Sequence, residues 1–372
     1  MIINFIREQI LNPLQNIIGI VDKKQTMNIL TNIRAEFNEL GIRLTATDLE
    51  LEMHSQAFIP DFNKPNNMNE VVFSGFKLLD ILKSLPDESV VKIQIKQNHM
   101  LIQANNSRFK IQTFTEAAFP VIEQQSEVGQ TIVTEQKILK KIIKRTQYAM
   151  AIKDIRYYLT GALLKIEDSK IIMVSTDGHR LALAQENISD NSNIQTEVII
   201  PRKAVMELDK ILKDSDSPIK ITIKSKQILF ELDSILFLSK LVDNKFPQYE
   251  RVIPNQINNE IHLNRLLVLE ALNRVAVLSS DKVQGVRVLV APEKISILCA
   301  YTDNEEADEE IPVKYNGEPI ELGFNIHYLM DVMNHLTEQT ILMKFGDNAK
   351  SVIFTLPENE EAFKYVVMPM RI

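Results

Sequence analysis

The sequence predicts an α+β protein built as three copies of one domain, each copy two helices laid on one face of antiparallel sheet. Three observations carry this. Short motifs return along the chain: Ala118-Phe119-Pro120 as Lys245-Phe246-Pro247 and then Val367-Met368-Pro369, and Thr47-Asp48-Leu49 as Thr176-Asp177-Gly178 and then Thr302-Asp303-Asn304. Two stretches of helical periodicity recur in each interval. After the second of them, each interval alternates apolar and polar residues as a half-buried strand does. A period of roughly 125 residues is too long for a solenoid unit and long enough for a domain with its own core.

The elements come in order. The first copy opens with an amphipathic helix over Gln9 to Ile18, has a second over Gly75 to Leu85, and alternates from Val91 to Lys96. The second copy begins with a helix over Glu135 to Tyr148. There Ile138, Ile142 and Tyr148 fall near helical spacing, with Lys137, Lys140, Lys141, Lys144 and Arg145 between them. Its second helix runs from Pro201 to Leu212, with the proline in the first turn, where its missing N–H is not needed. A strand over Ile219 to Lys224 comes next. The third copy repeats the pattern with helices over Asn264 to Leu278 and Asn325 to Leu336, and a strand over Ile341 to Gly346. The polar joins at Ser126 to Gly129 and Pro254 to Asn259 place domains at 1–126, 127–254 and 255–372. Neither join is long or low in complexity, so the domains are expected in a fixed relation.

Composition narrows the class. The 372 residues are 45% hydrophobic and 24% charged, ordinary for a soluble globular protein. No apolar run has membrane-spanning length, and the start Met1 to Glu8 lacks the basic and apolar regions of a signal peptide. A single cysteine, Cys299, excludes an internal disulfide and a zinc cluster, which with the missing leader predicts a reducing, cytoplasmic setting. Cys299 reads as a small core residue on a strand. The net charge of −7 is unevenly spread: −2 over residues 1–125, +3 over 126–255 and −8 over 256–372. Much of the last deficit is the run Asp303 to Glu310, read as a solvated strand edge or loop. An acidic exterior with basic helices is compatible with DNA if the helices face it.

Catalytic signals are weak. Ser175, Asp177 and His179 are near neighbours, whereas a nucleophilic triad is assembled from separated segments, and no Gly-x-Ser-x-Gly elbow surrounds Ser175. Asp177 and His179 lack a third metal ligand at a recognisable spacing. There is no phosphate-binding loop or dinucleotide fingerprint.

From Ser175 to Ala182 the sequence reads Ser-Thr-Asp-Gly-His-Arg-Leu-Ala, and here it resembles the bacterial sliding clamp family, the beta subunit of the replicative DNA polymerase III. The resemblance covers the whole chain. Asn12-Pro-Leu-Gln, Leu44 to Glu50, Asp154 to Gly161, Ile200-Pro-Arg-Lys, Lys240 to Tyr249 and Tyr365 to Ile372 all stand in the family's order and spacing. It implies a non-catalytic ring around double-stranded DNA that slides without sequence specificity and tethers the polymerase. It implies no cofactor, and a separate ATP-driven clamp loader. Two other readings remain: a hydrolase using Asp177 and His179, and a protein scaffold that never meets DNA.

Helix geometry supports the ring. With two helices per copy lining the inside, three copies make a circle about 19 Å across and a hole of about 9 Å, too narrow for a duplex of roughly 20 Å. Two chains supply twelve helices, a circle of about 38 Å and a hole near 28 Å. A head-to-tail homodimer is the smallest ring that works.

The resemblance also implies the sites. The dimer interface would join the first domain of one chain to the third of the other through Phe109 and Ile111 against Val277 and Leu278. All four also suit an intradomain core. For DNA it implies Lys24, Lys153, Tyr157, Tyr158, Arg202 and Lys203. By charge alone the candidates are Lys137, Lys141, Lys144, Arg202, Lys203 and Lys210 on the middle domain's helices, with Lys23 and Lys24 after the first helix. Such groups contact phosphates without reading bases. Peptides of the replicative polymerase, other polymerases and repair proteins would bind an apolar cleft formed by Leu159, Thr176, Gly178, His179, Arg180, Leu181, Pro247, Arg251, Val252, Val366, Met368, Pro369, Met370, Arg371 and Ile372. Flexible, polarizable methionines suit a pocket that accepts varied peptides.

Overall fold

The computed structural model describes residues 2–24, 27–60, 62, 64, 69–96, 98–114, 119–189, 194–254, 257–279, 284–302, 305–346 and 351–372. Of the sequence landmarks, Ala118, Asp303, Asn304 and the boundary residue Asn255 lie outside the described residues.

One order of elements occurs three times: strand, helix, four strands, helix, three strands. The first passage is β1 (Ile2–Ile6), α1 (Arg7–Ile17), β2 (Ile33–Asn38), β3 (Gly41–Thr47), β4 (Leu51–Phe58), β5 (Glu70–Phe73), α2 (Gly75–Ser84), β6 (Val90–Ile95), β7 (His99–Ala104) and β8 (Ser107–Phe114). The second is β9 (Gln130–Glu135), α3 (Gln136–Thr146), β10 (Gly161–Glu167), β11 (Lys170–Thr176), β12 (Arg180–Asn187), β13 (Thr196–Pro201), α4 (Arg202–Ile211), β14 (Pro218–Ile223), β15 (Gln227–Leu232) and β16 (Ile235–Lys240). The third is β17 (Asn259–Asn264), α5 (Arg265–Val275), β18 (Gly285–Ala291), β19 (Lys294–Thr302), β20 (Glu305–Pro312), β21 (Ile320–Asn325), α6 (Ile326–His335), β22 (Thr340–Phe345), β23 (Val352–Thr355) and β24 (Phe363–Val367).

All six expected helices form. One detail differs: Pro201 ends β13 rather than entering the turn of α4. β13 is the edge strand of its sheet, where a residue without an N–H costs no ladder hydrogen bond. Cys299 is buried on β19, as expected. The described part of the acidic run, Glu305 to Glu310, lies on β20, which among the described residues pairs only with β19.

The chain forms two compact units, Met1–Lys137 with Met206–Leu241, and Ile138–Val205 with Val242–Ile372. The first holds a twelve-stranded antiparallel sheet in the order β1-β6-β7-β8-β5-β2-β3-β4-β16-β15-β14-β9. Its two halves join where Leu51 of β4 faces Ser239 of β16. The second holds an eight-stranded sheet, β13-β10-β11-β12-β24-β23-β22-β17, joined where Arg180 of β12 faces Val367 of β24. It also holds a four-stranded sheet, β20-β19-β18-β21.

The same local chemistry fixes each copy. The first residue of each opening helix donates its N–H to the segment after the second helix: Arg7 to Ser89 O, Gln136 to Ser217 O and Arg265 to Gln339 O, all at 2.9 Å. A helix start has no intrahelical acceptor for this group, so the bond satisfies an orphan donor and anchors one helix to the other. In the first copy α1 packs on α2, β3 and β4; in the third α5 packs on α6, β19 and β20. Their cores draw on matching layers. Ile3, Ile10, Ile42, Leu78, Ile93 and Met100 are buried in the first, and Leu263, Leu272, Ile295, Leu329, Ile341 and Met343 in the third. Each such side chain contributes about 1.5–3 kcal/mol by leaving water.

Candidate functional site

The Thr-Asp turn is the element from which the site is built. In the second copy Thr176 Oγ1 donates to Arg180 O at 2.5 Å and accepts from Gly178 N at 3.1 Å. Asp177 Oδ1 accepts from the amides of His179 at 2.9 Å and Arg180 at 3.0 Å. The first copy makes the same four bonds: Thr47 with Leu51 O at 2.8 Å and Leu49 N at 3.1 Å, and Asp48 with Glu50 N at 3.0 Å and Leu51 N at 2.7 Å. Short polar side chains thus take over the turn's amides, as Asx and Ser/Thr turns do. The third residue is left-handed in both, Leu49 at φ 75° and Gly178 at φ 91°. Glycine adopts this conformation without steric cost. The neighbouring strand also binds alike: Lys240 N donates to Glu50 O at 2.9 Å, and Met368 N to His179 O at 3.0 Å.

The two turns differ in what surrounds them. At the first, Glu50 and Lys240 form an ion pair at 3.0 Å, and the buried carboxylate of Glu52 accepts from Ile122 N at 2.7 Å. Polar groups bridge that junction, beside a wider polar opening lined by Glu52, His54, Ile122 and Leu236. At the second, the matching positions are His179, Met368 and Leu181, and a cleft of about 190 Å³ stands open. Ten of the residues implied by the family resemblance line it: Leu159, Thr176, Gly178, His179, Arg180, Leu181, Pro247, Val252, Val366 and Met368. Its floor belongs to a cluster around Leu163, Val174, Leu181, Tyr249 and Val366, against which Tyr158, Phe246 and Val252 pack. Arg251 is exposed on the short turn Tyr249–Val252. Pro369, Met370, Arg371 and Ile372 continue beyond Met368, where Met370 N donates to Gly323 O at 2.8 Å.

Sequence reasoning missed three lining residues: Arg156, Tyr158 as a cleft residue, and Tyr249. Arg156 grips Asp154 through Nε at 3.0 Å and Nη2 at 2.8 Å, and its Nη2 also reaches Asp177 O at 3.1 Å. It thereby stands over Gly178, where a Cβ would lie 3.0 Å from its Nη1. These hydrogen bonds hold the Asp154 carboxyl down at about 2. The signal was available, since Arg156 sits inside the Asp154 to Gly161 motif. Burial, with Glu250 nearby, raises the Tyr249 phenol above its ordinary value.

Arg180 is the hub behind the cleft. Its side chain is 10% exposed. It donates to Asp177 Oδ2 at 3.1 Å, to Asp331 and to Tyr148 O at 2.7 Å, and its guanidinium lies 4.3 Å from the ring centre of Tyr328. Burial opposes its charge, but Tyr365 and Asp331 more than offset this and its pKa rises.

The candidate DNA contacts fall in several settings. Lys24 is exposed just beyond α1, its amide bonded to Asp22 Oδ1 at 3.0 Å. Lys153 is exposed at a left-handed position (φ 55°) in the loop between α3 and β10. In the same loop Tyr157 is 53% exposed, its hydroxyl accepting from Asn244 Nδ2 at 3.1 Å, with its ring edge-on to Tyr158 at 6.2 Å. Arg202 is half-buried and donates to Met150 O at 3.2 Å; desolvation, then the charge of Arg180, lower its pKa. Lys203 is half-buried beside it. Of the lysines suggested by charge alone, Lys137 bridges Glu135 and Asp216, Lys141 meets Glu186 at 2.6 Å and Lys210 meets Glu207 at 2.6 Å. Those charges are largely met within the chain. At the candidate interface, Phe109 is half-buried and Ile111 buried, while Val277 is 78% exposed and Leu278 half-buried.

Asp177 has both carboxylate oxygens committed to its own turn and Arg180, and Ser175 is fully buried, which leaves the hydrolase reading without an accessible dyad. Among the described residues no cluster of three potential metal ligands occurs.

An α+β chain that repeats one order of elements three times around an apolar cleft invites comparison with known proteins. Three family profiles match in sequence order: the N-terminal domain of the DNA polymerase III beta subunit over residues 1–123, its central domain over 133–248 and its C-terminal domain over 250–371. The beta sliding clamps of Pseudomonas putida and Escherichia coli are 36% and 35% identical to this chain, each alignment covering 98% of both proteins. Among solved structures, the Pseudomonas aeruginosa sliding clamp bound to griselimycin superposes with a TM-score of 0.93 at 35% identity, covering all of both chains. The Caulobacter crescentus beta sliding clamp gives 0.90 at 29%. The chain belongs to the DNA polymerase III beta subunit family, the bacterial beta sliding clamps.

Proposed function

We propose that this protein is the processivity clamp of a replicative DNA polymerase. Two copies close head to tail into a ring around duplex DNA, with clamp domains at 1–126, 127–254 and 255–372. The ring slides without reading sequence, performs no catalysis and holds the polymerase, and other polymerases and repair proteins, through the cleft beside His179 and Met368. A clamp loader opens it. The observation that carries the reading is the rule by which copies join. The fourth strand of one copy pairs with the last strand of the next, β4 with β16 and β12 with β24. Applied once more, that rule leaves β20 and the stretch of β8 before its short pairing with β5 at Thr113 and Phe114 to pair between two chains. The exposed Arg108 and Lys110 of β8 complement the exposed Glu305, Glu306, Asp308 and Glu310 of β20. Phe109, Ile111, Val277 and Leu278 supply the apolar part of that interface.

In this reading DNA is held loosely, by Lys24, Lys153, Tyr157, Tyr158, Arg202 and Lys203, and each contact is weak and salt-sensitive. Among the described residues no helix is long and apolar enough to cross a membrane. The test combines solution mass with DNA retention. A dimer that stays on nicked circular DNA and runs off the same DNA once linearised is expected; equal loss from both forms would rule out topological binding.

A further inference from the structure

The end of the chain rests on glycine. Gly285 of β18 and Gly323 of β21 are diagonal neighbours on one face of the four-stranded sheet, since Gly285 faces Asn325 and Arg287 faces Gly323. The Ile372 side chain lies over both. A Cβ on Gly285 would come within 3.2 Å of Ile372 Cδ1, and one on Gly323 within 2.9 Å of that atom and 2.3 Å of Met370 O. Met370 N is meanwhile bonded to Gly323 O at 2.8 Å. Any side chain at 323 therefore collides with backbone, not with a flexible tip. Neither φ is in the left-handed region, so space, not backbone freedom, explains these glycines.

We propose that Gly285 and Gly323 form a socket that receives Ile372 and holds the tail Met368–Ile372 as a preformed wall of the cleft. The proposal rests on the cleft's being a peptide site. The two glycines are positioning residues that act through the tail, without touching the bound peptide. A tail fixed before binding loses no further order on binding, which is the usual source of affinity in a preorganised site.

The full-length protein is titrated with griselimycin, the compound bound to the Pseudomonas aeruginosa clamp, in four forms: intact, lacking Met370–Ile372, Gly323→Ala, and both changes together. The expected result is at least tenfold weaker binding for the deletion and for Gly323→Ala, with the combination no weaker than the deletion alone. Amide exchange over 368–372 should speed up in Gly323→Ala while dimer mass and melting temperature hold. No binding by the intact chain, or equal binding after deletion, overturns the cleft reading itself. A deletion that weakens binding beside a Gly323→Ala that does not, or a Gly323→Ala that weakens it further in the deleted chain, overturns the socket. Gly285→Val supplies a second route to the same displacement, and normal affinity there also counts against the proposal.

Discussion

Replacing Arg180 with alanine tests the hub behind the cleft. The guanidinium is nearly buried and satisfies Asp331, one oxygen of Asp177 and the Tyr148 carbonyl while stacking on Tyr328. Removing one member of a buried pair costs about 3–5 kcal/mol, because the remaining charge has lost its partner. Asp331 is one-third exposed, so water recovers part of its solvation and the lower end applies, about 3 kcal/mol. In a unit of about 200 residues each kcal/mol lowers the melting temperature by about 2–4 °C, which gives a fall near 10 °C for that transition. Asp177 keeps its two backbone donors and adds little. Arg180→Met combined with Asp331→Leu should regain most of the loss, since an apolar pair leaves no stranded charge. Calorimetry of the three proteins decides. A fall under 3 °C for Arg180→Ala, or a double variant no better than the single, would refute the assignment of Arg180 as an electrostatic anchor.

Other expectations come from the same geometry. Thr176→Val and Thr47→Val should each cost about 1–3 kcal/mol by leaving a turn amide without its acceptor, yet only Thr176→Val should weaken binding of a polymerase peptide; equal weakening by both would contradict the difference between the two turns. Arg108→Glu with Lys110→Glu should convert the dimer to monomer in sedimentation at physiological salt, and a mass unchanged from the parent would argue against β8 as an interface strand. The Asp154 carboxyl is depressed in the folded chain to about 2. Its contribution to loop order is therefore complete above its unfolded value near 4 and is lost as pH falls through about 2. Tyr157 resonances should report that change between pH 4 and 2, and a midpoint at or above 4 would exclude the Arg156 clamp. Removing Met368–Ile372 should abolish polymerase-peptide binding and leave the dimer intact, as read by anisotropy and mass.

Much of this was legible in the sequence, for identifiable reasons. The helices stood out because residues such as Ile138 and Ile142 recur at helical spacing around lysines. The repeat stood out because a Thr-Asp turn needs a hydroxyl and a carboxylate at fixed offsets, whichever residues flank them. The surroundings of each turn were not legible. Nothing local in Glu52 says that it binds a distant amide at Ile122, 70 residues on, and makes its junction polar, while Leu181 makes the other apolar. Charge counting also ran ahead of geometry, because Lys137, Lys141 and Lys210 find carboxylates whose proximity is a property of the fold. Gly285 and Gly323 look like ordinary strand glycines until the tail is seen lying on them.

The sheet joins have a consequence for how this chain can be cut. The second copy, β9 to β16, lends β9 and β14 to β16 to one unit and β10 to β13 to the other. Excised at the repeat boundaries, it would carry β16 stripped of β4 and β12 stripped of β24. Each would present a row of unpaired backbone donors and acceptors, the template on which chains associate edge to edge. The sequence repeat is thus a unit of ancestry more than of solubility, and the cuts that spare every strand pair fall elsewhere, near 137, 205 and 241.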